Sequence, residues 1–177
     1  MDMSGIPPRP PLAELQSKAR WLALLLLAIG LHVFESALPG LGPWFKPGLA
    51  NIMTLLALVW LGPKAAASLA VARVVLGSLL IGTLFTPTFI MSLAGALAAA
   101  AAMIMMWRLQ PVISVIGISL VAAVAHMLAQ FTTVEVLFIQ QAALYHVLPG
   151  LLLLSAITGW LNGAVATYII ARIRIRH

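Results

Sequence analysis

The stretch over residues 21–38, WLALLLLAIGLHVFESAL, decides what kind of protein this chain is. It opens with an uninterrupted apolar run, and its strongly polar side chains, His32 and Glu35, come only near its far end. Its length is close to the roughly 20 apolar residues with which an α-helix crosses the hydrocarbon core of a bilayer. More hydrophobic segments follow, and no small-residue cleavage site stands at the usual distance. The stretch therefore predicts a retained membrane helix and not a cleaved signal peptide.

The composition extends this interpretation to the whole chain. Of the 177 residues, 63% are hydrophobic and 8% are charged, whereas soluble domains average about half and about a quarter. The net charge of +6 does not indicate a nucleic-acid partner, because the basic residues stand singly between apolar runs or at the termini. The chain has no cysteine, which excludes disulfides, thiolate metal sites and cysteine nucleophiles.

Charged residues and Pro/Gly punctuation divide the chain into six hydrophobic segments. The predicted membrane helices cover residues 21–38, 49–61, 65–84, 89–107, 112–131 and 144–170. The second is too short to cross a bilayer alone, so we expect the Pro/Gly-rich residues 39–48 to form a re-entrant or lid-like first loop. The predicted organisation is a flexible Pro-rich cytoplasmic tail over 1–18, a single six-helix transmembrane domain over 19–171 and a basic tail over 172–177.

Lysines and arginines between these segments predict the orientation, because short cytoplasmic loops hold an excess of them. Eight fall on one side of the membrane: Arg9, Lys18, Arg20, Lys64, Arg108, Arg172, Arg174 and Arg176. Lys46 falls on the other side. We therefore expect a multi-pass protein of the bacterial cytoplasmic (inner) membrane with both termini in the cytoplasm.

In this orientation the polar residues of the segments gather toward the outer side, which predicts a polar pocket there. The candidate ligand-binding residues are Glu35, Lys46, Asn51, Arg73, Thr83, Ser92, His126 and Gln130. Arg73 lies deeper than the others, where a charge is costly and is by default paired or functional. Two interpretations of Arg73 stay open: it faces a ligand, or it forms a buried structural pair with Glu35.

Signs of catalysis and of metal binding are missing from the sequence. It contains no nucleotide-binding, hydrolase or zinc-protease motif. Asp2 is its single aspartate, so it cannot build the paired aspartates with which isoprenoid diphosphate enzymes hold magnesium. The histidines form no H-x-x-x-H pair, so we expect no metal site. We predict that the chain is not an enzyme and holds no cofactor of its own.

Ala19 and Ala23 stand four positions apart at the cytoplasmic start of the first helix. Small residues at this spacing let two membrane helices approach closely. In an Ala-rich chain most such steps serve internal packing. The spacing alone therefore leaves open whether Ala19 and Ala23 contact another helix of this chain or a partner helix.

Several short motifs in a fixed order resemble one membrane family. They are Glu35-Ser36-Ala37-Leu38-Pro39, Lys46-Pro47-Gly48-Leu49-Ala50-Asn51, Arg73 with Gly77, Ser92-Leu93-Ala94-Gly95, His126 with Gln130, and Leu148-Pro149. Together they look like the family named Gx transporter or heptaprenyl diphosphate synthase component I. That family is in turn similar to the substrate-binding S components of energy-coupling factor (ECF) vitamin transporters.

The resemblance implies an S-component-like bundle of six helices with a pocket near the outer face, beneath a long first loop. It also implies that small residues on the first helix, here Ala19 and Ala23, contact a transmembrane coupling subunit that works with ATPases.

The leading prediction is a membrane-embedded transport protein that captures a small vitamin- or cofactor-like molecule from the outer side and is energised by a separate ATPase. The alternative is a non-transporting membrane subunit of a flavin- or quinone-linked electron-transfer system. A third possibility, an assembly scaffold, predicts no ligand at all. The expected partners are the lipid bilayer, a small-molecule ligand and, for transport, the coupling subunit; nucleic acid is not among them.

Overall fold

The computed structural model describes residues 11–37 and 48–174, and over these residues the chain is helical with no β-strand. The six α-helices are α1 (Leu12–Ala37), α2 (Ala50–Leu61), α3 (Pro63–Leu80), α4 (Pro87–Trp107), α5 (Val115–Leu137) and α6 (Leu148–Arg174). A short 3₁₀ helix (Ala142–His146) precedes α6. The predicted all-α class is confirmed. The predicted loop over 39–48, except for Gly48, lies outside the described residues, as do residues 1–10 and 175–177.

Capping residues explain where several helices begin. The Thr86 hydroxyl accepts a hydrogen bond from the Phe89 N–H and is followed by a proline at the first position of α4. The Ser114 hydroxyl does the same for the Gly117 N–H at the start of α5. Such caps satisfy N–H groups that have no partner within their own helix. Between α2 and α3, Gly62 takes a positive φ of 91°, which only glycine adopts without strain.

Several predicted boundaries differ from the observed ones: α3 ends at Leu80 and not at residue 84, and α6 begins at Leu148 and not at residue 144. Residues 12–18, expected in the flexible tail, belong to α1, because helix-forming residues follow the last proline of the tail and the Glu14 carboxylate pairs with Lys18 one turn later at 2.7 Å. Helix α5 begins later than residue 112, since its cap is Ser114, and continues past residue 131 because residues 132–137 contain no helix breaker and bury Val134. The connection from α5 to α6 is correspondingly shorter than expected.

Five of the helices, α1 and α3 to α6, are long and apolar enough to cross a membrane. Their outward faces expose large apolar side chains, among them Leu26, Leu79, Leu97, Leu128 and Leu153. In water such exposed apolar faces would promote aggregation, but they suit contact with lipid tails. The chain is thus a multi-pass membrane protein.

Helix α2 differs from the others because it is short and central. Its 12 residues span about 18 Å, against a hydrocarbon core about 30 Å thick. All of residues 50–58 are buried, and α2 packs against α1, α3, α4 and α6. It therefore reaches only partway through the bundle.

Close helix contacts hold the second half of the bundle together. Gly159 and Gly163 of α6 lie directly against α5: a Cβ added at Gly159 would come within 2.6 Å of Ala123, and one at Gly163 within 2.7 Å of the Ile116 backbone. Small residues at this spacing bring two helix backbones together. At the end of the bundle where α1 begins, the Trp21 indole N–H donates to the Ala65 carbonyl at 3.1 Å and ties α1 to α3.

Candidate functional site

Polar side chains from four helices converge on one small space inside the bundle. It is lined by His32 and Glu35 of α1, Arg73 of α3, Ser92 of α4, and His126 and Gln130 of α5, with Gly48 at one side. Its volume is about 10 Å³, about the room of one water molecule. We call these six side chains, together with Asn51, the polar cluster. Five of the eight predicted site residues thus share one space, and Asn51 joins them through Arg73.

The polar cluster lies near the middle of the bundle. Arg73 is about 15 Å from the start of α3, and Asn51 is about 15 Å from the end of α2, at 1.5 Å of rise per residue. Both helices have that end on the same side of the bundle, so Arg73 and Asn51 lie at a similar height. The expected position of Asn51 near the outer side of the membrane stays a prediction.

Arg73 is held by a direct hydrogen bond and by a nearby charge. Its Nη2 donates to the Asn51 Oδ1 at 2.5 Å, and both side chains are buried, with 3% and 7% of their surfaces exposed. The carboxylate of Glu35 lines the same space and attracts the guanidinium. Within residues 11–37 and 48–174, the Arg73 Nε has no hydrogen-bond acceptor. One donor of the buried cation is thus left for another group.

Glu35 also holds the start of α2. Its Oε1 accepts a hydrogen bond from the Leu49 N–H, and a carboxylate at this position complements the partial positive charge of a helix N-terminus. From the opposite side, the Asn162 side chain of α6 donates to the Gly48 carbonyl at 3.1 Å. The Gly48 carbonyl and the Leu49 N–H therefore find their partners within the protein, as backbone groups must where no water is available.

Two glycines make room for the cluster's larger side chains. A Cβ added at Gly77 of α3 would lie 2.5 Å from the His32 ring. One added at Gly95 of α4 would lie 2.8 Å from the His126 ring and 2.9 Å from the Gln130 side chain. The latter contact confirms that His126 and Gln130, spaced i, i+4, share one face of α5.

A larger, mainly apolar cavity adjoins the cluster. Its volume is about 320 Å³, and it lies between α4, α5, the 3₁₀ helix and α6. Its lining residues are Met91, Met127, Gln130, Phe131, Val134, Leu144, Val147 and Leu151. Gln130 borders both spaces, is 3% exposed, and carries an Oε1 that accepts no hydrogen bond from the described part of the chain. We call this space the apolar chamber.

The 3₁₀ helix covers one side of the apolar chamber. The Tyr145 ring stands edge-on to the Phe131 ring, with 5.4 Å between their centroids. The Tyr145 hydroxyl donates to Glu135, and this hydrogen bond raises the pKa of Tyr145 above its ordinary value. Side-chain contacts thus join the connection before α6 to the end of α5.

The remaining predicted residues do not join the cluster. Thr83 lies in the turn after α3, where its carbonyl accepts from the Thr86 hydroxyl at 2.6 Å, and it lines neither space. Lys46 lies outside the described residues. Ala19 and Ala23 are exposed on α1, and their contact with a partner stays a prediction. Among the described residues, no group of three or more His, Asp or Glu side chains could hold a metal ion.

Two residues of this region, His32 and Asn162, are not among the candidates predicted from the sequence. His32 is a histidine near the end of an apolar segment, but no sequence pattern indicates its contact with Gly77. Asn162 lies among apolar and small residues of α6. A polar residue deep in a membrane helix indicates a buried partner or a function, and this is how the sequence could have identified it. Its partner, the Gly48 carbonyl, is 114 positions away, so no local pattern reveals the contact.

Comparison with known proteins gives one result. Residues 24–169 match the family model described as heptaprenyl diphosphate synthase component I. No curated protein matches the chain, and no solved structure does.

Proposed function

We propose that this chain, which belongs to the heptaprenyl diphosphate synthase component I family, is the substrate-binding membrane subunit of a transport system. It captures a small amphipathic molecule of vitamin or cofactor type from the outer side and releases it inward when a separate ATPase-driven partner reorients it. The observation that carries the proposal is the joining of a buried polar cluster to an apolar chamber through Gln130. Ligand pockets combine mostly apolar walls with a few placed polar groups in this way.

The two spaces suggest what the ligand looks like. Arg73 has an unused donor at Nε, which suits a carboxylate, a phosphate or a carbonyl oxygen. Gln130 offers its amide oxygen to a ligand donor. A cavity of about 150 Å³ holds benzene, so the apolar chamber, at about 320 Å³, has room for about a dozen carbon atoms. The proposed ligand has a polar end at Arg73 and Gln130 and a compact apolar body in the chamber.

Entry of the ligand requires the start of α2 to move. The polar cluster encloses only about 10 Å³, which is too little for a ligand's polar group. The contacts at the cluster's edge are the hydrogen bonds from Leu49 to Glu35 and from Asn162 to Gly48. We propose that the first loop predicted over residues 39–48 acts as the lid and that loss of these contacts opens the cluster.

The proposed placement in the membrane follows the distribution of charge. Both termini lie in the cytoplasm of a bacterial cell, and α2 together with the segment before it makes the second of six crossings. The basic residues among the described ones, apart from Arg73, lie at the end of the bundle where α1 begins, which is the cytoplasmic end under this proposal.

The family description names a synthase component, but we do not assign catalysis to this chain. Diphosphate chemistry with magnesium needs clustered carboxylates, and Asp2 is the single aspartate in the sequence. The chain's role is therefore binding, alongside a partner that supplies the energy.

Identification of a co-purifying molecule tests this function. The protein is purified in lipid nanodiscs, and its small molecules are extracted and identified by mass spectrometry alongside an absorption spectrum. We expect one non-lipid amphipathic compound that is lost from Gln130→Leu but retained in Thr132→Ala, whose side chain is exposed on the same helix. A flavin or quinone that is reversibly reduced while it stays bound would favour the electron-transfer subunit instead. Absence of any such compound from wild type and both variants would favour an assembly scaffold.

A further inference from the structure

A second large space runs along α2 from Met53 to Trp60 and reaches the end of the bundle where α1 begins. It is a groove of about 610 Å³ between α1, α2 and α6. Its walls include Ala23 and Leu27 of α1, Trp60 of α2, and Ile169 and Ile173 of α6. Arg20 of α1 lines the same groove. The groove is thus apolar with one cation at its border.

The dimensions of the groove fit hydrocarbon chains better than a protein helix. An α-helix is about 10 Å in diameter and rises 1.5 Å per residue, so about five residues of helix have the volume of the groove. A cavity that holds benzene has about 25 Å³ for each carbon atom. At that ratio the groove has room for about two dozen carbon atoms. That is the hydrocarbon of one to two lipid tails. A helix would make about one and a half turns of contact, whereas a lipid tail could lie along the whole groove.

The charge at this end of the bundle selects the headgroup. Besides Arg20, the described basic residues here are Lys18, Lys64, Arg108, Arg172 and Arg174. Glu14 is the described acidic residue at this end, and it pairs with Lys18 at 2.7 Å. Trp21 and Trp60 lie at the same end of the bundle as these basic residues, and tryptophan is enriched where membrane helices meet the headgroups. Arg20 therefore stands where the phosphate of a lipid would lie if its tail filled the groove.

We propose that this groove is a binding site for an anionic phospholipid, with a tail between α1 and α6 and the phosphate on Arg20. Basic pockets between membrane helices at the cytoplasmic side recognise anionic headgroups in this way. The site is separate from the polar cluster, but it includes Ala23, which is also the expected contact of a coupling subunit, so a lipid and that subunit would compete for this face of α1. A bound lipid would stabilise the packing of α1 and α6 across α2.

Thermal unfolding of the detergent-purified, full-length protein tests the assignment, because a lipid that binds only the folded state raises the unfolding temperature. Phosphatidylglycerol and phosphatidylcholine with the same tails are titrated separately. We expect phosphatidylglycerol to stabilise the protein at lower concentration. In Arg20→Gln its half-maximal concentration should rise about fivefold, since a basic residue near the headgroups contributes about that factor. Lys64→Gln, which removes an exposed charge at the same end but outside the groove, should change it less than twofold.

Equal responses to the two lipids, or equal losses in Arg20→Gln and Lys64→Gln, would overturn the proposal. Ala23→Trp gives an independent test, because it places an indole in the groove from an exposed position and should remove the preference for phosphatidylglycerol. If Ala23→Trp keeps this preference but changes the oligomeric state measured by light scattering, the groove holds a protein helix and the lipid assignment is wrong.

Discussion

The two ends of α2 have opposite surroundings. Its start lies in the interior of the bundle among Glu35, Arg73 and Asn162, which supply hydrogen bonds and charge. Its far end, around Trp60, lies among apolar side chains and stops at the tight turn at Gly62. Polar side chains therefore concentrate where α2 begins in the interior of the bundle, because the backbone there needs partners that lipid cannot supply.

The polar cluster therefore has two roles. Some of its groups hold the start of α2, as Glu35 does through Leu49 and Asn162 does through Gly48. Others, such as the Nε of Arg73 and the amide oxygen of Gln130, hold donor or acceptor capacity that the described residues do not use. We assign the first set to structure and the second to ligand binding, and the predictions below separate them.

The largest expected effect is an all-or-none difference in the signal of location reporters on the two sides of the membrane. Reporters of cytoplasmic and external location are fused after residue 177 and inserted in the connection over 138–147. We expect opposite signals, with the cytoplasmic signal after residue 177, because α6 lies between these points and the C-terminus is proposed to be cytoplasmic. Matching signals would contradict the proposed six crossings and remove the external access of the polar cluster.

Replacing Glu35 should cause the largest loss of stability. Glu35→Ala leaves the Leu49 N–H without its acceptor and the buried charge of Arg73 without its neighbour, so we expect the free energy of unfolding to fall by about 3–5 kcal/mol. It is measured by denaturant unfolding in detergent. Glu14→Ala, which breaks an exposed pair on the same helix, should cost about 0.5 kcal/mol or less. Similar losses in both variants would show that Glu35 does not hold α2.

Asn162 should show a smaller loss of the same kind. Asn162→Leu removes the side-chain donor to the buried Gly48 carbonyl and should lower the free energy of unfolding by about 1–3 kcal/mol. Thr167→Ala is the control, since its hydroxyl donates to the Gly163 carbonyl within the same helix. An Asn162→Leu protein as stable as this control would mean that the start of α2 is held without α6.

Glycine replacements test the close contacts of the cluster. Gly95→Ala places a Cβ against His126 and Gln130 and should cost about 1–3 kcal/mol. Gly30→Ala, in a helix and with nothing within 4 Å of the added Cβ, should be neutral or stabilising by about 0.5–1 kcal/mol. Equal behaviour of the two variants in thermal unfolding would contradict the packing of α4 against α5 described above.

The sequence predicted the helices better than their ends and predicted most of the polar cluster. Apolar runs broken by Pro and Gly were enough to locate all six helices, but the bounds of α5 depended on the Ser114 cap. Glu35, Arg73 and His126 were identified because a charge or histidine in an apolar segment is costly unless it has partners. Thr83 is also a polar residue in an apolar segment, but it lies in the turn after α3 and outside the polar cluster. Asn162 was missed because its partner is a backbone carbonyl far away in the chain.

The central claim is that Arg73 serves the ligand while Glu35 serves the structure, and a double-mutant cycle tests it most directly. Ligand occupancy, by mass spectrometry of the co-purified compound, and unfolding free energy are measured for wild type, Arg73→Leu, Glu35→Leu and the double variant. We expect Arg73→Leu to weaken binding of an anionic ligand by about 2 kcal/mol or more. In the double variant, much of the stability should return because no unpaired buried charge remains, whereas binding should not. Recovery of both stability and binding in the double variant would contradict the account and make Arg73 a purely structural partner of Glu35.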